Sequence, residues 1–305
     1  MGDSTSGSSF SGGGPAAELR RRLASGRQLL VPGAANALTA RIIEDAAFEA
    51  VYVTGAGIAN TFLGSPDIGL VSLSELRDHV EAIGQAVSLP LIVDADTGFG
   101  NPVNVTRTVR TLERAGAAAI QLEDQVNPKK CGHFTGKAVI PLADMVQKIH
   151  AAVDARVNDA TSIIARTDAR AVEGLDRALE RAAAYREAGA DILFVEAPQS
   201  VAELRDVPRR VVAPHIVNIV EGGRTPLLAA PELPEFAIVL FANIALQAAV
   251  HGMQAVLADL GRTGSLAGLT DRIAPWPERQ RLVRKPLFDD LELRYSSTTS
   301  AEVAS

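Results

Sequence analysis

From Leu29 onward, short runs of β-branched and aliphatic residues alternate with longer stretches whose apolar positions recur every three or four residues. That rhythm marks strands alternating with amphipathic helices. It predicts strands over residues 29–33, 50–54, 89–93, 117–122, 162–165, 192–195, 215–220 and 236–241. Helices are predicted over 37–47, from near Ser72, and over 102–115, 142–156, 174–189 and 244–260, with Gly116 placed to end the third. The strands are nearly continuous apolar runs, as parallel strands covered on both faces are. Such units, joined without a long linker, predict an α/β fold of the (β/α)8 TIM-barrel class. A doubly wound open sheet shares the rhythm but gives no reason for strand after strand to end in polar residues. A barrel does, because its active site is assembled from those ends.

The strand ends carry Asp94 and Asp96, Glu123, Arg166 and Asp168, Glu196, and Glu221. Carboxylates gathered at one mouth raise one another's pKa unless a counter-charge is present. A bound divalent cation answers that need, and an all-oxygen donor set points to Mg²⁺, or Mn²⁺, rather than Zn²⁺. Any one of these acids is equally well explained as a helix cap; the set, spread over separate strands, is not. The densest chemistry lies in the fifteen residues 123–137, which hold two carboxylates, three lysines, a histidine and the only cysteine of the chain. Cys131, beside Lys129, Lys130 and His133, is placed to lose its proton near neutral pH. Gly132 and Gly136 give the same loop the freedom to close as a lid.

Composition narrows the class. Of the 305 residues 47% are hydrophobic but only 4% aromatic, so Ala, Val, Leu and Ile must fill the core, as in layered α/β proteins. The net charge of −6 argues against a nucleic-acid partner and against an anionic membrane surface. Arg20-Arg21-Arg22, the one dense basic run, reads as a solvated helix face. One cysteine cannot form an internal disulfide, which fits a reducing cytoplasm, and no apolar run reaches the roughly 20 residues that span a bilayer. The expected organisation is a Gly/Ser-rich disordered tail over 1–17, a catalytic barrel over 18–262 and a helical C-terminal extension over 263–305.

Several stretches occur in a telling order: Tyr52-Val53-Thr54-Gly55-Ala56-Gly57, Gly64-Ser65-Pro66-Asp67-Ile68-Gly69, Asp94-Ala95-Asp96-Thr97-Gly98-Phe99-Gly100, Glu123-Asp124-Gln125, Lys129-Lys130-Cys131-Gly132-His133, Ala165-Arg166-Thr167-Asp168-Ala169, and Asn218 with Glu221-Gly222-Gly223-Arg224-Thr225-Pro226. Together they resemble the isocitrate lyase and phosphoenolpyruvate mutase superfamily, from about Leu19 to the 244–260 helix. The resemblance implies a Mg²⁺-dependent barrel enzyme acting on small 2-oxo or 2-hydroxy di- or tricarboxylates through an enolate. It makes Asp94 the direct metal ligand, with Asp67, Asp96 and Glu123 bound through water. It places Tyr52, Thr54, Gly55, Ala56 and Gly132 at the substrate, and Arg166 beside the oxygen on which charge develops. It assigns Cys131 as the general acid, Lys129 and His133 as the groups that set its pKa, and Glu196, Asn218 and Glu221 as residues that orient substrate and lid. It also implies a homotetramer in which the last barrel helix is exchanged between neighbours.

Within the superfamily, the Cys-Gly-His lid favours a carbon–carbon bond lyase similar to the methylisocitrate and dimethylmalate lyases. Phe134-Thr135-Gly136-Lys137 departs from the usual methylisocitrate lyase continuation, Val220 replaces a common Thr, and Ala242-Asn243 replaces a Tyr-Pro-containing turn. Oxaloacetate hydrolysis and a carboxyphosphonoenolpyruvate mutase-like formation of a P–C bond are the alternatives. A non-catalytic barrel is the remaining one.

Overall fold

The computed structural model describes residues 13–132, 134 and 136–296. His133, Thr135 and most of the Gly/Ser-rich tail lie outside the described residues. Strands β1 (Leu29–Ala34), β2 (Val51–Val53), β3 (Leu91–Asp94), β4 (Ala117–Glu123), β5 (Ser162–Thr167), β6 (Ile192–Val195), β7 (His215–Asn218) and β8 (Ile238–Phe241) are parallel, pair in sequence order, and close β8 onto β1. The expected TIM barrel is therefore present.

The helices are α1 (Pro15–Ala24), α2 (Ala37–Asp45), α3 (Gly55–Phe62), α4 (Leu73–Ala86), α5 (Pro102–Arg114), α6 (Leu142–Ala155), α7 (Leu175–Glu187), α8 (Val201–Arg210), α9 (Ile244–Thr263), α10 (Trp276–Leu282) and α11 (Lys285–Tyr295). Ser72 opens α4 with a reciprocal cap, its side chain on the Glu75 backbone and the Glu75 side chain on its own. Helix α3 is not among the predicted helices. The Thr54 hydroxyl accepts from the Gly57 amide at 3.2 Å and starts the helix there.

Side chains alternate across a strand, so each barrel strand presents one set inward and one toward the helices. Val51, Val93, Ile120, Leu122, Ile163, Leu193 and Val239 pack with helix residues such as Ile83, Leu112 and Ile149. Tyr52, Ile92, Ala119, Ile164, Phe194, Ile216 and Leu240 form a second cluster inside the barrel. Stepping two residues toward the C-terminal ends converts that inner set from apolar to polar. Ile92 is followed by Asp94, Ala119 by Gln121 and Glu123, Ile164 by Arg166, Phe194 by Glu196, and Ile216 by Asn218. Period two thus delivers the reactive groups to one mouth.

Ala16 and Leu19 of α1 join the inner cluster at the opposite end. Arg20 fixes α1 there through the Ala160 carbonyl at 2.8 Å and Asp191 at 3.1 Å, both of which precede strands. The Arg22 guanidinium donates to the Glu49 carbonyl at 2.9 Å. This corrects the reading of Arg20-Arg21-Arg22 as a merely solvated face, since two of the three tie the first helix to the strand starts.

The closure of β8 onto β1 depends on Gly33. A Cβ at that position would lie 1.9 Å from the Ala242 carbonyl oxygen, and that neighbour is backbone. Gly33→Ala is therefore expected to lower unfolding stability by about 2–3 kcal/mol, the upper end of overpacking costs, read as a fall in urea midpoint.

The residues up to Leu246 form one compact unit, and those from Gln247 onward form a second, which contains most of α9 together with α10 and α11. None of the residues of α9, α10 or α11 is buried. Among the described residues, no helix is long and apolar enough to cross a membrane.

Candidate active site

The centre of the mouth is Asp94, at the end of β3. The Gln121 side-chain amide donates to its Oδ1 at 3.0 Å, and Tyr52 Oη donates to Gln121 Oε1 at 3.0 Å. Asp94 is thus oriented through β4 and β2 as well as by its own loop. The amide of Asp96 also donates to Asp94, at 3.3 Å, and Asp96 adopts a left-handed conformation with φ 48°. Few residues besides glycine hold that region, and where one does near a polar cluster the strain marks a functional position. Gly55 faces the pair, since a Cβ there would lie 3.3 Å from Asp94 Oδ2 and 3.4 Å from Asp96 Oδ1.

The charge balance of this cluster is partly organic. The Lys129 ammonium, 3% exposed as a residue, bonds to Asp67 and lies 2.6 Å from Asp96. Burial works to lower its pKa, but Asp96, Glu123, Asp94 and Asp67 together hold it well above the usual lysine range. Burial pushes the Asp96 carboxyl up to about 7, against the pull of Lys129. Burial also raises Glu123, although Arg166 Nη1 sits 3.2 Å from its Oε2. Arg166 is the second cation. Its Nε and Nη2 donate to Asp168 at 3.0 and 3.1 Å, Glu196 is 3.5 Å away, and the guanidinium lies 5.4 Å from the Phe194 ring centroid. Asp168 is held below the usual carboxylate range: burial acts against this, and Arg166 and Lys137 outweigh it.

A hard divalent cation fits what remains. Among the described residues, no three His, Cys, Asp or Glu side chains converge to hold a metal directly. A site with few protein ligands and several waters is what Mg²⁺ prefers. Glu123 Oε1 is buried without a hydrogen-bond partner, an acceptor left for such a water.

The loop after β4 lies across this mouth. Both ends of the Gln125 amide grip the Lys130 backbone, at 2.8 and 2.9 Å, and the Cys131 amide donates to the Asp67 carbonyl at 3.1 Å. Beneath it lies a cavity of about 30 Å³. Tyr52, Thr54 and Ala56 form one wall, Asp67 and Asp94 the acidic side, Cys131 and Gly132 the roof, and Arg166, Glu196 and Asn218 the far side. That volume suits one or two waters rather than a dicarboxylate. Gly132 is packed onto the barrel, because a Cβ there would come 2.5 Å from Arg166 Nη2 and 2.8 Å from Glu196.

Most of the candidate residues are therefore brought together, with Gly55, Asp96, Glu123 and Lys129 directly behind the lining. Glu221 is not. β7 ends at Asn218, the 220–223 segment turns with Gly222 at φ 71°, and Glu221 is left exposed. Three further residues take part that the sequence reading left without a site role. Gln121 orients Asp94, Lys137 is buried against Asp168, and Phe194 lines the cavity beside Ala242 and Asn243, the turn whose sequence departs from the usual one. Gln121 carried a signal, as the one polar residue within the apolar run 117–122.

With the geometry in place, the comparisons with known proteins are specific. Residues 19–260 match the phosphoenolpyruvate phosphomutase family. The chain is 43% identical over 284 residues to the 2,3-dimethylmalate lyase of Eubacterium barkeri, covering 92% of this chain and 98% of that protein. It is 49% identical over 256 residues to the 2-methylisocitrate lyase of Aeropyrum pernix, covering 83% and 82%. A crystal structure of 2,3-dimethylmalate lyase superposes with a TM-score of 0.87 at 35% identity, covering 93% of this chain and 96% of that one. A phosphonopyruvate hydrolase in complex with oxalate and Mg²⁺ superposes with a TM-score of 0.85 at 30% identity, covering 93% and 99%. The chain belongs to the phosphoenolpyruvate phosphomutase family, within the PEP mutase/isocitrate lyase superfamily of barrel enzymes.

Proposed function

We propose that this protein is a Mg²⁺-dependent carbon–carbon bond lyase that cleaves a 2-hydroxy di- or tricarboxylic acid, methylisocitrate- or dimethylmalate-like, into a 2-oxo acid and a carboxylate. The observation that carries the reading is the closure of Cys131 and Gly132 over a cavity that also holds Asp94 and Arg166. The two lyase relatives support it. Asp94, with Asp67, Asp96 and Glu123 around it, would hold the cation. When bound, Mg²⁺ supplies Lewis-acid polarisation of the substrate's 2-oxygen and carboxylate.

The chain's own residues do the rest. The backbone at Thr54, Gly55 and Ala56 receives the carboxylate. Arg166, fixed by Asp168, faces the oxygen that carries negative charge while the C–C bond breaks. The 2-hydroxyl gives its proton to Glu196, a carboxylate of the cavity lining. Its O–H electron pair becomes the new C=O bond of the 2-oxo acid, and the pair of the C–C bond passes to the departing fragment, which Cys131 protonates from the lid. Glu196 and Asn218 bound the space for that fragment, with Phe194 and Asn243 beside them.

The test is a product screen with 2,3-dimethylmalate and 2-methylisocitrate, following release of the 2-oxo acid. Excess chelator is expected to reduce the rate to background and added Mg²⁺ to restore it. Release of oxalate from oxaloacetate, with no cleavage of any 2-hydroxy acid, would instead establish the hydrolase. The homotetramer belongs to the same proposal, supported by α9, a helix of twenty residues with none buried and with Ile244, Val250, Met253 and Leu257 exposed. So does a cytoplasmic location, for which the support is that the chain's single cysteine can form no internal disulfide.

A further inference from the structure

The lid is fastened at a second place, which the proposed reaction does not use. Lys137 lies at the end of the loop, and its side chain is 2% exposed. Its ammonium donates to Asp168 Oδ1 at 2.6 Å and also to the Gly132 carbonyl. Asp168 is the carboxylate that grips Arg166 at 3.0 and 3.1 Å, and Gly132 is the residue packed onto Arg166 with no room for a Cβ. The contacts therefore form a ring: Arg166 to Asp168, Asp168 to Lys137, Lys137 to the Gly132 carbonyl, and Gly132 back onto Arg166.

One side of the ring is fixed to the barrel. Asp124, at the end of β4, accepts from the Asp168 amide at 2.9 Å, the Thr167 hydroxyl at 2.7 Å and the Tyr185 hydroxyl at 2.8 Å. Arg181 of α7 stands behind it at 3.4 Å and is itself held by Glu173 at 2.8 Å. The movable side is the lid. Opening it separates a buried ammonium from a buried carboxylate, and a buried charge that loses a partner is strongly disfavoured.

We infer that Lys137 is a positioning residue that latches the closed lid to the Asp168–Arg166 pair, so that Cys131 reaches its working place only when Arg166 is in its own. The inference rests on the lyase reading for what Cys131 does there, but the latch can be measured without turnover. Cys131 is the single cysteine of the chain, so its alkylation by iodoacetamide reports lid opening in the full-length protein. Limiting rates at high pH, where the thiolate is fully formed, remove any effect on its ionisation.

Lys137→Met is expected to raise that limiting rate at least tenfold and to abolish the protection given by Mg²⁺ with oxalate. Lys137→Arg, which keeps the charge, is expected to fall between Lys137→Met and the parent protein. Alkylation of folded Lys137→Met at the parental rate, with protection intact, would overturn the latch. Should Lys137→Met not fold, Lys137→Gln is held to the same criterion. A protein that shows the latch but cleaves no 2-hydroxy acid would refute the lyase reading alone.

Discussion

Replacing Cys131 with serine is expected to lower the rate of C–C cleavage by about 10²–10⁴, the range that a positioned proton donor contributes. A hydroxyl fits where the thiol fits, but it is a far weaker acid and does not deliver a proton to a carbanion at neutral pH. The acidic cluster around Asp94 is not touched by the change, so Mg²⁺-dependent binding of oxalate should persist near the parental affinity. Calorimetric titration and turnover measured on the same preparation separate the two effects. Cleavage at an undiminished rate would remove the general-acid role from Cys131.

The second large effect is expected at Arg166, which touches three buried carboxylates, Glu123, Asp168 and Glu196. Arg166→Met keeps much of the stem and deletes the charge. Turnover should fall by about 10²–10³, the cost of removing one donor aimed at developing negative charge. Stability should fall as well, by about 3–5 kcal/mol, because the carboxylates lose their shared buried partner. Arg166→Lys restores charge without the two-pronged geometry that Asp168 receives, so it should recover stability more than activity. Urea midpoints and kcat for the two variants check this, and a stable, active Arg166→Met protein would contradict the role given to the guanidinium.

Much of this was readable in the chain. The barrel followed from eight apolar runs spaced by amphipathic helices, because parallel strands buried on both faces must look that way. The acids at the strand ends were legible for the same reason, as breaks in apolar runs. What escaped was set by contacts between segments distant in sequence. Lys129 reads as part of a basic loop, and only the approach of Asp67 and Asp96 buries it. Lys137 gives no local sign of its tie to Asp168, 31 positions away. Glu221 lies in a motif whose order was informative, but the turn after Asn218 leaves it exposed and outside the cavity lining. Helix α3 went unpredicted because the cap that starts it on a Gly-Ala-Gly run is a single hydroxyl, that of Thr54.

Lys129 also bears on how the protein is made. In small metal-organised domains, ligand charges stay uncompensated until the ion arrives, so the apo chain does not fold. Here a covalently attached ammonium already stands among Asp67, Asp94, Asp96 and Glu123. On the proposed function, this ammonium lets the barrel fold before any metal arrives, and Mg²⁺ would then stabilise the finished protein only by mass action.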